Sequence, residues 1–317
     1  WGVDGGKYIY QYNANEPISE QVNAFYSLFL RENYMKLYEK TFAKLYWAHR
    51  MGDKFTYRTS LSIEERSPLT NHSDYSFFYT GKKEYSINQP FVSEGEGASF
   101  LASKGVLFDL NVDWRPGLKY QVRNDRKIPI MNSSPLIFMN YRQALPIIYN
   151  GEDVADFQQV ELGLQHAIQF GVSGKLAFNL NAGTFLNKDK VYFMDYKHFG
   201  GNRTIFSNMG AASNYRFLDY YTFSTSDSYF GGLIHYQFRK FLLTQLPGLR
   251  FSGVRENIFF NYLTTNSSPH YWELGYSLDN LFRIFRLEVG AGFENRKYNS
   301  GGLRFGIATF ISINLDE

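Results

Sequence analysis

The stretch Phe285-Arg-Leu-Glu-Val-Gly-Ala-Gly-Phe-Glu294 sets Phe285, Leu287, Val289, Ala291 and Phe293 against Arg286, Glu288, Gly290, Gly292 and Glu294. Successive side chains of a strand point to opposite faces, so this period of two gives one greasy face and one wet face. The same pattern recurs upstream. Phe55, Tyr57, Leu61 and Ile63 oppose Arg58, Ser60, Ser62, Glu64 and Arg66, and Val106, Phe108, Leu110, Val112 and Trp114 oppose Asp109, Asn111 and Asp113. Val160, Leu162, Leu164, Ile168 and Phe170 oppose Gln159, Glu161, Gly163, Gln165 and Gln169, and Leu303, Phe305, Ile307, Thr309, Ile311 and Ile313 oppose Arg304, Gly306, Ala308, Ser312 and Asn314.

These runs are about 9 to 14 residues long, more than the five or six of an ordinary soluble strand and enough for a tilted crossing of a hydrocarbon core. A soluble sandwich, in which the apolar face is the core, is the competing reading. Aromatic residues near strand ends (Tyr46, Trp47, Trp114, Trp272) suit the interfacial girdles of a transmembrane barrel instead.

Composition narrows the field. The 317 residues contain 30 Phe, 25 Tyr and 4 Trp, 19% aromatic, too many for a disordered chain. Lys and Arg total 33 against 30 Asp and Glu, a net +3, too slight and too mixed for a nucleic-acid surface. With no Cys there is no disulfide framework, thiolate metal site or cysteine nucleophile. No run approaches the roughly 18 apolar residues of a transmembrane helix. Trp1-Gly-Val-Asp-Gly-Gly6 lacks the features of a signal peptide, so the chain reads as a mature or truncated piece.

Short links at 51–53, 116–117, 171–174 and 278–280 alternate with longer ones at 67–98, 187–212, 264–270 and 295–301. Barrels alternate short periplasmic turns and long external loops in this way, which would leave the C-terminus on the periplasmic side. Strands are expected near 6–12, 38–51, 53–66, 99–114, 134–144, 155–170, 174–186, 213–224, 228–240, 251–263, 270–279, 284–295 and 302–315. Sidedness then requires one more crossing within 188–210, or a loop there that folds back through the lumen. The expectation is an all-β chain: one transmembrane antiparallel β-barrel over residues 1–317, with about 14 strands, or about 16 if upstream strands are missing. Two places fit badly. Asp219 sits on the aromatic face of Tyr215, Phe217, Tyr221 and Phe223, and 13–37 reads best as an interfacial helix or loop.

Several segments together carry a likeness: Pro17-Ile-Ser19, Asn33-Tyr-Met-Lys-Leu-Tyr-Glu-Lys40, His198-Phe-Gly-Gly-Asn-Arg203, Arg216-Phe-Leu-Asp-Tyr-Tyr-Thr-Phe-Ser-Thr-Ser-Asp227, Phe241-Leu-Leu243 and Leu246-Pro-Gly-Leu-Arg250. With them the chain resembles the barrel region of a Bacteroidota outer-membrane family of unassigned function that carries an N-terminal carboxypeptidase-regulatory-like domain. The closing Gly302-Leu-Arg-Phe-Gly-Ile307 is similar to the last strands of barrels that assemble or secrete other envelope proteins. Those barrels fold an Arg-Gly-Phe loop into the lumen. Here the loop element His198, Phe199, Gly200, Gly201, Asn202 and Arg203 lies on a comparable long loop without matching it. The resemblance implies a bacterial outer-membrane location, contact with lipid and other envelope proteins as partners.

The wet faces define a lumen network of both signs: Arg58, Glu64, Arg66, Asp109, Asp113, Glu161, Arg239, Arg255, Glu273, Arg286, Glu288 and Arg304. Mixed signs pair across an interior, which favours an occluded barrel over an open pore. His49, His72, His166, His198, His235 and His270 show no metal-ligand spacing. No cofactor, metal or nucleic acid is expected. A rim hydrolase would need His235 beside Ser224, Ser226 or Asp227; an imidazole in a hydrogen-bonded wall network is the simpler reading. The expected role is non-catalytic, assisting assembly, export or anchoring of envelope components within a complex. A pore for small solutes and a rim-site hydrolase are the alternatives.

Overall fold

The computed structural model describes residues 1–90, 100–147, 153–206, 212–249, 251–266 and 270–307. The expected strand residues 99 and 308–315, loop residues 91–98, 207–211 and 267–269, and Arg250 lie outside them. Long alternating segments become long strands. They are β1 (Gly2–Gln11), β2 (Leu37–Met51), β3 (Phe55–Pro68), β4 (Ser103–Trp114), β7 (Leu136–Leu145), β8 (Asp156–Phe170), β9 (Gly174–Lys190), β10 (Tyr229–Phe238), β11 (Arg255–Thr265), β12 (Tyr271–Leu281), β13 (Phe285–Glu294) and β14 (Lys297–Ile307). Each pairs antiparallel with the next, giving one 12-stranded sheet in chain order. β5 (Lys119–Arg123) and β6 (Arg126–Ile130) form a separate two-stranded ribbon.

The architecture is therefore all-β, with twelve rather than about fourteen strands in the sheet. No ladder joins β1 to β14 among the described residues. Among the described residues neither the strand expected at 213–224 nor an additional crossing within 191–206, one of the two readings of that segment, forms. β9 and β10 pair directly, from Gly183↔Tyr229 to Gly174↔Phe238, and leave the segment 191–228 no place in the ladder. Instead it crosses the concave side of the sheet as a strap, described over 191–206 and 212–228. The Phe199 carbonyl accepts from Asn13, just beyond β1, and the Asn202 carbonyl accepts from Arg304 on β14. Contacts to both ends of the strand order from one short peptide require the sheet to curl around the strap.

Register decides which face is covered. On the inner register Ser62, Glu64, Arg66, Glu161, Glu273, Ser277, Arg286 and Glu288 are all under 9% exposed. On the outer register Leu61, Ile63, Leu162, Leu274, Val289 and Leu303 are 40–56% exposed. This polarity is the inverse of a water-soluble sandwich, whose apolar register is buried. The apolar packing that does exist lies between strap and inner wall. Phe199, Tyr215, Leu218 and Phe223 of the strap meet Tyr229, Leu233, Leu263 and Tyr271 of the strands.

The two ends of the sheet differ. Among the described residues the turn end carries 52–54, 115–135, 171–173, 239–249, 251–254 and 282–284, and the loop end carries 12–36, 69–90, 100–102, 146–147, 153–155, 191–206, 212–228, 266, 270 and 295–296. Pro116-Gly117 is thus not a short link but the start of the β5–β6 connection, and 295–301 is not a loop but a tight hairpin. Asn295 and Arg296 both have positive φ (49° and 67°), the twist a two-residue hairpin needs. The segment 13–37 holds helix α1 (Glu20–Phe25), capped when Ser19 Oγ accepts from Val22 N–H, and a π-helical turn at Tyr26–Leu30.

Candidate functional site

Where the strap meets the wall, ionised groups are clustered and buried. Asp195, wholly buried, receives Arg66 Nη1 of β3 at 2.5 Å and lies 3.6 Å from Arg142 Nη2 of β7, whose Nε is 3.2 Å from Asp109 of β4. Lys197 contacts Glu161 of β8, which also accepts from Asn140, Asn181 and Tyr229. Farther along, Glu273 of β12 receives two consecutive strap amides, Arg216 N–H at 2.7 Å and Phe217 N–H at 2.6 Å, together with Asn261 and Tyr271. A carboxylate taking paired backbone donors in a dry setting is a strong, directional anchor. Beside it Arg216 faces Glu288, and Arg286 grips Asp279 through two 2.6 Å bonds. The Phe217 ring fits because a Cβ at Gly290 would stand 2.7 Å from it.

The loop element is internal. Its Gly201 is sterically required, since a Cβ there would lie 2.6 Å from the Leu218 carbonyl oxygen. Asn202 Oδ1 accepts from the Thr204 amide and hydroxyl, folding the strap into a tight bend. Arg203 is half-exposed, 3.4 Å from Asp219 and over the Tyr34 ring. His198 is buried, with Nε2 2.9 Å from the Phe193 carbonyl and Nδ1 2.8 Å from Ser224 Oγ. A carbonyl only accepts, so Nε2 carries the proton and Nδ1 accepts from Ser224. Burial pushes the His198 pKa down to about 3, which keeps the ring neutral.

A pH dependence follows. In the undocked strap His198 titrates near its ordinary 6.5, so docking free energy is intact above that value and declines as pH falls toward 3. At pH 4.5 the loss is about 2–3 kcal/mol. Protection of the amides across 193–206, taken against the intrinsic exchange rate at each pH, should fall between pH 7 and pH 4.5, and His198→Asn should flatten the change. An unchanged pH profile in that variant counts against His198 as the titrating group.

The sequence-derived network divides in two. Glu64, Arg66, Asp109 and Glu161 gather around Asp195 and Lys197, while Glu273, Arg286, Glu288 and Arg304 gather around Arg216 and Phe217. Arg58 and Asp113 pair at 2.8 Å nearer the turn end and belong to neither group. Arg239 and Arg255 are exposed at the turn end. Asp195, Lys197 and Arg216, the strap's own contributions, could not be read from alternation. The nearest signal was the misfit of Asp219 on the aromatic face beside Arg216; nothing in the pattern marked Asp195 or Lys197. Two polar cavities of about 680 and 640 Å³ flank the strap and share Asn140, Glu161, Lys197 and His198 in their walls.

Of the hydrolase partners considered for His235, Ser224 is bonded to His198 and Asp227 contacts Lys188. Ser224 is 1% exposed, so no substrate reaches its hydroxyl in this conformation. Among the described residues no three His, Asp or Glu side chains converge as metal ligands.

Residues 1–278 match the model of the C-terminal domain of a family of unknown function, DUF5686. The chain belongs to that family. No curated protein matches it. The matched span of this DUF5686 C-terminal domain includes the whole strap and Glu273. Arg286, Glu288 and Arg304 of β13 and β14 lie beyond it.

Proposed function

We propose that this DUF5686 domain is a β-barrel of the bacterial outer membrane that assists assembly, export or anchoring of other envelope components, without catalysis or cofactor. The curled sheet with its apolar register outward supports lipid as the surrounding solvent. Rings at both strand ends add to this: Trp47, Trp114, Phe170 and Phe285 are about half-exposed at the turn end, and Trp272 stacks on Phe293 at 4.2 Å at the loop end. At the loop end Phe25, Phe29, Phe77 and Phe78 also form an exposed aromatic patch, suited to an interfacial helix. The likeness to a Bacteroidota outer-membrane family and to assembly barrels points the same way.

The observation that carries the functional reading is the strap. Its His198–Arg203 element lies inside, anchored to the wall by buried carboxylates, where an open porin keeps a continuous wet channel. A pore remains the second reading, because the two polar cavities meet at the Lys197–Glu161 contact. Two measurements separate them. Depletion in cells should lower several other envelope proteins while uptake of small solutes is unchanged, and reconstituted liposomes should swell in small sugars no faster than empty ones. Porin-like swelling that rises further in Lys197→Ala, with the envelope proteome intact, would establish the pore instead.

A further inference from the structure

The turn end carries an element with no structural use inside this chain. β5 and β6 form a ribbon closed by Asn124 and Asp125, both at positive φ (50° and 59°), and eleven of the twelve residues 119–130 are exposed. An isolated two-stranded hairpin is marginal in water. This one nevertheless stands on a built stem. Leu118 is buried, Lys119 N–H donates to Ser133 Oγ at 2.9 Å, Arg115 Nη1 donates to the Met131 carbonyl at 3.3 Å, and Ser134 Oγ donates to the Pro116 carbonyl.

Charge and edge chemistry describe what would complete it. Lys119, Arg123, Arg126 and Lys127 against Asp125 give the ribbon +3, as much net charge as the whole 317-residue chain. The cross-strand pair Tyr120↔Pro129 places the Pro nitrogen away from β5, since a proline cannot donate into a ladder. The outer edge of β6 is thereby blunted. The outer edge of β5 is not. In the hairpin register Arg123↔Arg126 is the hydrogen-bonded pair, so Tyr120 and Val122 direct their N–H and C=O groups outward. Apolar and basic side chains mix on both faces, with Ile128 and Ile130 beside Lys119, Arg123 and Arg126, and Tyr120 and Val122 beside Lys127. A lipid-interface element segregates the two kinds.

We infer that the β5 edge is a docking site for an acidic, extended strand of another polypeptide, which adds to the ribbon as a third strand through Tyr120 and Val122. This goes beyond the assembly reading and does not depend on it, because a pore would present the same edge at the same end.

The test uses the full chain in detergent and a peptide of alternating Glu and Val. The peptide should bind at low salt, slow amide exchange at Tyr120 and Val122 at least tenfold, and release as salt rises. Val122→Pro removes an outward donor while sparing the ribbon's own ladder, and should abolish binding. Arg123→Glu with Arg126→Glu should weaken binding at least tenfold, keeping the inference falsifiable if the proline melts the ribbon. An alternating Lys and Val peptide should not bind. The inference is overturned if the acidic peptide fails to bind at millimolar concentration, or if both variants bind it as the wild type does. It is equally overturned if only phosphatidylglycerol vesicles protect the ribbon.

Discussion

Replacing Leu162 and Leu274 with arginine is expected to prevent stable insertion into lipid while leaving the inner network untouched. Both residues lie within strands on the outer register and are 56% and 50% exposed. In water such positions are forgiving, with an exposed Leu→Arg change usually within about 0.5 kcal/mol and favourable for solubility. Facing hydrocarbon, each arginine costs about 2–4 kcal/mol near the midplane, so the pair approaches the whole stability of an ordinary domain. Urea titration of liposome-reconstituted single and double variants reads this directly. Arginines on the inner register make the control: Arg66 and Arg286 are native there, each facing a carboxylate. Unchanged midpoints, with a double variant that stays monodisperse in plain buffer, would remove the membrane from the account and the envelope role with it.

The wall was legible because side-chain direction in a strand is fixed by parity. Once Phe285 to Glu294 is read as alternating, Arg286 and Glu288 must share a face, and they do, 3.7 Å apart. That 213–224 belongs to the strap was not legible, and the reason is physical. Tyr215, Phe217, Tyr221 and Phe223 alternate like a strand, yet these residues pack between a polar wall and their own segment. Their backbone groups find side-chain partners such as Glu273 rather than a neighbouring strand. Asp219 marked the place where the strand reading broke. The β5–β6 ribbon announced itself more plainly, with Asn124-Asp125 between Val122 and Ile128. Reading Pro116-Gly117 as the whole turn concealed it. Glu256 could not have been foreseen at all. On the outer register of β11, it accepts from the amides of Phe241, Leu242, Leu243 and Thr244, a cradle set by backbone geometry rather than by residue type.

Removing one carboxylate should release half of the strap. In Glu273→Ala the amides of Arg216 and Phe217, the Asn261 side-chain amide and the Tyr271 hydroxyl all lose their acceptor in a site that is 0% exposed. Orphaning one side of a buried charged cluster costs about 3–5 kcal/mol. At about 1.4 kcal/mol per decade, that raises the undocked fraction by roughly 100- to 4,000-fold. Glu273→Gln is expected to lose nearly as much, because its amide nitrogen turns a donor toward donors. Glu294→Gln, at a half-buried position on the hairpin end that accepts from Asn299, should be silent. Exchange of the amides at 212–222 and protease nicking within the strap measure the effect, while the ladder from β2 to β4 should keep its protection. The remaining contacts set where release stops. Arg304 over the Phe217 ring and Ser300 bonded to the Phe217 carbonyl hold the same residue from β14, whereas the Asp195–Arg66 pair lies on the other half of the strap. A Glu273→Ala protein with wild-type exchange at 212–222 would mean that aromatic packing alone seats the strap, and that the carboxylate anchors are incidental to the occluded interior.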